Sequence, residues 1–133
     1  MIRECLIDAA EASKVLGVDK SFRKRIKKTL SRLYPYQIGT DGNLQEWYYD
    51  WQDQDPYHRH QSHLFGLYPG HHLSVEETPE LAAACARTLQ IKGAETTGWS
   101  TGWRVNLLAR LRNGEKAYHM YLSLIHILRA HET

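Results

Sequence analysis

Residues 58–63 read HRHQSH, placing His58, Arg59, His60, Ser62 and His63 within six positions. Imidazole can donate or accept a hydrogen bond, and guanidinium presents five donors in a rigid plane. Together they make a hydrogen-bonding fork for a ligand covered in oxygen atoms. An apolar run follows (Leu64, Phe65, Leu67, Tyr68), and Pro69-Gly70 stops it. On a helix, His60 and His63 share a face that Leu64 and Leu67 continue. The spacing therefore predicts a polar cluster at the N-terminal end of a short buried helix. Free N–H groups and the positive end of the dipole at that point suit oxygen-rich ligands.

The same histidines could also serve as metal ligands, with Asp55 before them and His71-His72 after. The HxxxH and HExxH spacings of zinc sites are absent here and neither cysteine is near, so no metal and no cofactor is expected. His63 points with the apolar stripe and reads as structural. Ser62 and Ser100 lack an Asp-His partnership in sequence and read as caps rather than nucleophiles. Trp47, Trp51 and Trp99 could give a ligand a flat apolar platform. Trp99 and Trp103 lie four apart on one predicted helix, where core packing is the ordinary role. Trp99, in the first turn, has the stronger claim to a ligand. Asn106, amid apolar neighbours, is expected to be buried and bonded to another helix.

The elements that must position these groups follow from periodicity. Residues 2–16 predict a helix that is small or apolar nearly all round, hence buried, with Gly17 ending it in a left-handed turn. Asp19 is the expected cap of a second helix over 20–33, with Phe22, Ile26, Leu30 and Leu33 on one face and basic residues opposite. Pro35 ends that helix, and Asp41-Gly42 predicts a hairpin between 36–38 and 43–45. Residues 34–59 form a long excursion carrying Glu46, Asp50, Asp53 and Asp55 among Trp47, Tyr48, Tyr49 and Trp51. Loops of that length in compact domains are usually functional. Thr78-Pro79 opens a helix to about 91, with Leu81, Ala84, Cys85, Thr88 and Leu89 on one side. Gly93 ends it. Thr97 is the expected cap of a mostly apolar, buried helix over 98–112, and Asn113-Gly114 separates it from a last one. Buried and amphipathic helices thus alternate around one excursion, in an all-α chain.

Composition sets outer limits. The chain has 133 residues, 42% hydrophobic and 24% charged, which is the composition of a folded domain rather than a disordered one. A net charge of +2 argues for neither nucleic acid nor membrane as a partner. Lys20, Arg23, Lys24, Arg25, Lys27, Lys28 and Arg32 crowd one helix and read as its solvated face. No apolar run approaches the roughly 18 residues of a membrane span. Cys5 and Cys85 are far apart and leave the redox compartment open.

Three blocks in order also carry a resemblance: PYQIGTDGNLQEW at 35–47, HRHQSHLFGLYPG at 58–70 and TGWSTGWRVNLLARL at 97–111. Their order and spacing resemble the C-terminal part of the catalytic domain of glycoside hydrolase family 95, over roughly residues 1–121. The resemblance implies a fragment of an (α/α)6 toroid and an inverting α-L-fucosidase, with α-L-galactosidase as a variant activity. It implies a glycan substrate, the rest of the same catalytic domain as partner, and a secreted or periplasmic setting. Arg59 and His60 match family positions that touch the bound sugar. His58 and Trp99 join them as expected substrate-binding residues.

The resemblance implies a catalytic acid, a glutamate in a Ser-Pro-Glu stretch, and asparagines serving as base, all matching positions before Met1. The carboxylate that assists the base is expected in the turn before TGWS, where this sequence has Ala94 and, one place on, Glu95. These 133 residues alone are therefore expected to be inactive. The rival reading is a stand-alone helical module binding carbohydrate or metal without catalysis. Finally, residues 122–133, LSLIHILRAHET, depart from the family and resemble a translated sequencing adapter, so they are expected to be a foreign tail.

Overall fold

The structure is a computed structural model. It describes the backbone of residues 1–130 and the side chains of residues 1–125. The described residues form five α-helices, one short 3-10 helix and an isolated antiparallel bridge between Ile38 and Leu44. The chain divides into two compact units, residues 1–35 and 36–133.

The first unit is a helical pair, α1 (Ile2–Val15) and α2 (Lys20–Leu30). Gly17 closes α1 at φ 70°, as its sequence position predicts. The Gly17 N–H bonds Lys14 O and the Val18 N–H bonds Ser13 O, the two bonds of a Schellman motif. Arg23 of α2 then clasps this end, donating to Ser13 O, to Ser13 Oγ at 3.1 Å and to Val18 O at 2.9 Å. Asp19 does occupy the N-cap of α2, but in the left-handed region (φ 53°) and, among the described residues, without a capping side-chain bond. That φ is not the extended backbone from which an N-cap side chain reaches the first N–H groups of its helix. α1 is also less enclosed than its composition predicts. Ile2, Val15 and Leu16 are exposed, because within its own unit α1 has only α2 to lean on.

The second unit builds the core. Pro79 takes the first position of α3 (Pro79–Lys92), where its missing N–H costs nothing. α4 (Gly98–Arg110) and α5 (Gly114–Ala130) follow. Leu44, Leu64, Leu67, Leu73, Cys85, Leu89 and Leu107 pack together, with Trp103 and Tyr36 against their edge. α4 ends in another Schellman motif, in which Arg112 rather than glycine adopts φ 58°. α4 is buried on one side only: Ser100, Thr101, Arg104, Leu107 and Leu108 face inward, while Trp99 is 87% exposed. Asn106 is exposed, contrary to expectation, and its Nδ2 donates to Gly102 O on its own helix at 2.9 Å. Polar atoms of that helix find a partner one turn back without a second helix.

The hairpin forms as Asp41-Gly42 predicts. The Gly42 N–H bonds Gly39 O, the Gly39 N–H bonds Asn43 O, and Gly42 has φ 76°. α3 then fixes it. The Leu44 N–H donates to Thr88 Oγ1 at 3.0 Å, Thr88 Oγ1 donates to Ala84 O, and Arg87 Nε donates to Asp41 O at 3.0 Å. Leu44 is thereby held fully buried while the aromatics after it face outward. The last residues of the expected foreign tail, 131–133, lie outside the described residues, as do the side chains of 126–130. Among the described residues, no helix is long and apolar enough to cross a membrane.

Candidate functional site

The histidine block is built differently from the helix its spacing suggests. The helix is a 3-10 turn over Ser62–Gly66, and residues 58–60 precede it in irregular backbone. His60 and His63 therefore do not share a helical face. The physical reason is length: the run from Ser62 is closed by Pro69-Gly70 before an α-helix can propagate. The burial pattern survives, with Leu64 and Leu67 fully enclosed. Gly66 is buried too, and a Cβ there would lie 2.6 Å from Tyr36 Oη and 2.8 Å from His72 Nε2.

His58, Arg59 and His60 are exposed side by side. The His60 N–H donates to His58 Nδ1 at 3.2 Å, and the two rings meet edge to face with centroids 4.9 Å apart. A nitrogen that accepts from a backbone N–H carries no proton, so neutral His58 holds its proton on Nε2. The Ser100 hydroxyl, buried on α4, donates to Arg59 O at 2.8 Å. Ser100 is thus a tether rather than a cap. It brings the first turn of α4, and with it Trp99, to the histidine block across 41 residues of sequence. Thr97, the N-cap residue, accepts from Thr101 Oγ1 through its carbonyl instead of capping with its side chain. Thr78 behaves similarly at α3, its hydroxyl donating to Ser74 O.

Behind the block, α4 holds the turn after α3. Arg104 is 1% exposed, and its Nη1 donates to Gly93 O and, at 3.4 Å, to Lys92 O. A cation at the carbonyl end of a helix is favourably placed. Glu95 and Ala94 are exposed in that turn. Trp103 donates from Nε1 to Tyr68 O and Arg110 from Nη2 to Gly70 O, so α4 also braces the segment after the 3-10 turn. Trp103 accordingly takes the packing role its position predicts.

Beside the block lies a polar cavity of about 230 Å³ between the excursion and α3. Lys92 is buried on α3 and its Nζ meets Asp53 Oδ2 at 2.9 Å. His63 Nδ1 lies 3.4 Å from Glu46 Oε2, out of line for a hydrogen bond, and has no hydrogen-bond partner among the described residues. Desolvation, and then the charge of Lys92, lower the His63 pKa to about 4, so the ring is neutral near pH 7. Burial raises the Glu46 carboxyl above its ordinary value against the pull of Lys92, His58 and His60. Sequence reasoning placed Glu46 in the excursion without giving it a role. Its signal was present only as a carboxylate 17 positions before a histidine that points into the core.

Of the four expected ligand-binding side chains, His58, Arg59 and His60 stand together, and the Ser100 tether holds the turn bearing Trp99 against them. Comparison with known proteins agrees with the three-block pattern. A model of the glycosyl hydrolase family 95 catalytic domain matches residues 1–133. The "Alpha-L-fucosidase 2" of Arabidopsis thaliana is 44% identical over 121 residues, covering 90% of this chain and 14% of the relative. The "Probable alpha-fucosidase A" of Aspergillus oryzae (strain ATCC 42149 / RIB 40) is 33% identical over 132 residues, covering 90% of this chain and 18% of the relative. The chain thus spans less than a fifth of the length of these curated relatives.

Proposed function

The chain belongs to the glycosyl hydrolase family 95 catalytic domain, and on that premise we propose that it is one wall of an α-L-fucosidase active site. The observation that carries the reading is the Ser100–Arg59 bond, which ties the TGWS turn to the HRH block. In this reading Arg59 spreads its guanidinium donors over adjacent hydroxyls of a terminal fucose. His60 supplies one further polar contact. His58 offers its Nε2 proton, and the exposed Trp99 indole covers the apolar face of the sugar. The catalytic acid and the asparagine base belong to the rest of the domain, and the inverting outcome follows from two such groups on opposite faces of the sugar. Glu95 is the carboxyl nearest in sequence to the position expected to assist the base. α-L-Galactosides differ from fucosides by one hydroxyl and remain the variant substrate.

The rest of the catalytic domain is the proposed partner. An apolar groove of about 710 Å³ between α3, α4 and α5 supports that reading, as do Ile2 and Val15, exposed on α1, and Leu16 at its end. A face of that size and character asks for cover. It also favours a wall of a larger domain over a stand-alone binding module. The division into residues 1–121 of catalytic domain and 122–133 of foreign tail is proposed on the sequence pattern alone. Reads of source DNA in which LSLIHI follows residue 121 in every independent clone would refute it.

The test of the sugar site is a nuclear magnetic resonance titration of the chain, labelled at histidine and tryptophan, with L-fucose. Saturable shifts of the His60 and Trp99 ring signals, lost in Arg59→Ala, are expected. No shift at either ring, or shifts indifferent to Arg59→Ala, would contradict the reading.

A further inference from the structure

The excursion carries five carboxyl groups: three are spent on the fold, and Asp41 is exposed in the hairpin turn. Asp50 Oδ2 accepts from the Thr40 N–H at 2.8 Å and holds the hairpin. Asp55 Oδ1 accepts from the Tyr57 N–H at 3.0 Å in a local turn. Asp53 is paired with Lys92. Glu46 is the remaining one, and it stands at the cavity wall opposite a buried imidazole. The His63 side chain lines the same cavity and is 7% exposed, and its Nδ1 is enclosed with no hydrogen-bond partner among the described residues. A buried polar atom left unpaired costs about 1–3 kcal/mol. Such an atom calls for a partner, a water or a ligand group, at that position.

We propose that this cavity is a second sugar-binding site, separate from the Arg59–His60 wall, which takes one neutral pyranose through Glu46 and His63. The proposal borrows only the ligand class from the reading above. A hydroxyl group both donates and accepts. A hydroxyl that donates to Glu46 Oε2 meets the enclosed His63 Nδ1 after a small turn of the ring, and there accepts from the Nδ1–H tautomer of the neutral imidazole. The indoles of Trp47 and Trp51, both more than half exposed at the mouth, provide the flat apolar surface on which the C–H face of a pyranose stacks. A volume of about 230 Å³ has room for a single pyranose ring. Charge argues for a neutral ligand. The Lys92 ammonium is already compensated by Asp53 at 2.9 Å, and an anionic ligand would meet Glu46 and Asp50. Glu46 lies within electrostatic reach of His58 and His60, so the cavity adjoins the first wall rather than lying remote from it.

The experiment uses the whole chain with labelled histidine and tryptophan rings, titrated with D-galactose as the neutral pyranose. Saturable shifts of the His63 and Trp51 ring signals are expected. Glu46→Gln, which keeps shape but loses the charged acceptor, should weaken them about tenfold or more. Trp51→Ala serves as the second variant and should weaken them in the same sense. If the wild-type His63 and Trp51 rings stay still up to saturating sugar, the proposal fails whatever the variants do. Shifts of undiminished affinity in a folded Glu46→Gln protein would also overturn it, and would leave Glu46 and His63 as a buried polar pair of structural use only. The outcome is independent of the L-fucose titration, which is read at His60 and Trp99.

Discussion

The Lys92–Asp53 pair should respond very unequally to removal of its two partners. Lys92 Nζ and Asp53 Oδ2 are 2.9 Å apart, but the lysine side chain is 3% exposed and the aspartate 30%. At an effective dielectric of about 20 their gross attraction is about 6 kcal/mol, most of which offsets the cost of burying the ammonium. Asp53→Asn leaves that ammonium buried with no carboxylate in contact, and the expected loss is about 3 kcal/mol of folding stability. Lys92→Met keeps the apolar stem in its slot and removes the buried charge, while Asp53 regains water on its open side. The expected cost is about 1 kcal/mol or less. The double variant should match Lys92→Met, because Asn then faces no unpaired charge. That non-additivity amounts to about 3 kcal/mol, the whole loss of Asp53→Asn. Urea unfolding followed by circular dichroism at pH 7 measures all four proteins. Equal losses for the two single variants, or additive losses in the double, would refute the argument that burial decides which partner matters. The Lys92→Met protein offers a second readout. The His63 pKa should rise from about 4, since the lysine charge contributes to holding it down.

Other outcomes follow from the same structure. His63 has a folded pKa of about 4 against 6.5 when free, so the unfolded chain takes up a proton that the folded one refuses. Its contribution is therefore intact above pH 6.5 and is lost progressively as pH falls towards 4, by up to about 3 kcal/mol. Stability measured against pH should show this fall and His63→Leu should remove it, while the raised Glu46 carboxyl contributes in the opposite sense from pH 4.5 upward. Cys85 is fully buried with its thiol pushed up to about 12, whereas Cys5 is exposed. Iodoacetamide at pH 8 should add one label to the native chain, on Cys5, and two after unfolding. Gly66→Ala puts a methyl against Tyr36 Oη, His72 Nε2 and Leu73 Cδ1, at 2.6, 2.8 and 3.1 Å, so the Tyr36 and His72 side chains, bonded to each other at 2.8 Å, must move aside. Overpacking there should cost about 1–3 kcal/mol in thermal or urea unfolding.

What the sequence reveals depends on the range of the interaction. Gly17, Gly42 and Pro79 each do locally what their chemistry dictates, so helix ends and the hairpin were legible from single residues. The apolar stripe of Leu64 and Leu67 likewise predicts their burial. Caps were less legible. Asp19, Thr78 and Thr97 all sit at N-cap positions, yet backbone angles and nearby carbonyls divert their side chains. Arg112 shows the converse, a left-handed residue that no glycine announces. The site rests on contacts that sequence spacing does not encode. Ser100 reaches Arg59 across 41 residues, and Lys92 reaches Asp53 across 39. Neither bond could be read before the fold brought α3 and α4 beside the excursion. Glu46 becomes conspicuous only beside the bonds that occupy Asp50, Asp53 and Asp55.

The central claim is that residues 58–60, tethered to the TGWS turn, form the fucose-facing wall of a family 95 catalytic domain. The most direct test installs residues 1–121 of this chain in place of the matching segment of the Arabidopsis thaliana relative and measures hydrolysis of 4-nitrophenyl α-L-fucoside. A folded chimera that hydrolyses the substrate, and loses about a hundredfold or more in kcat/KM on Arg59→Ala, is the expected result. A folded chimera whose activity ignores Arg59→Ala would contradict the claim.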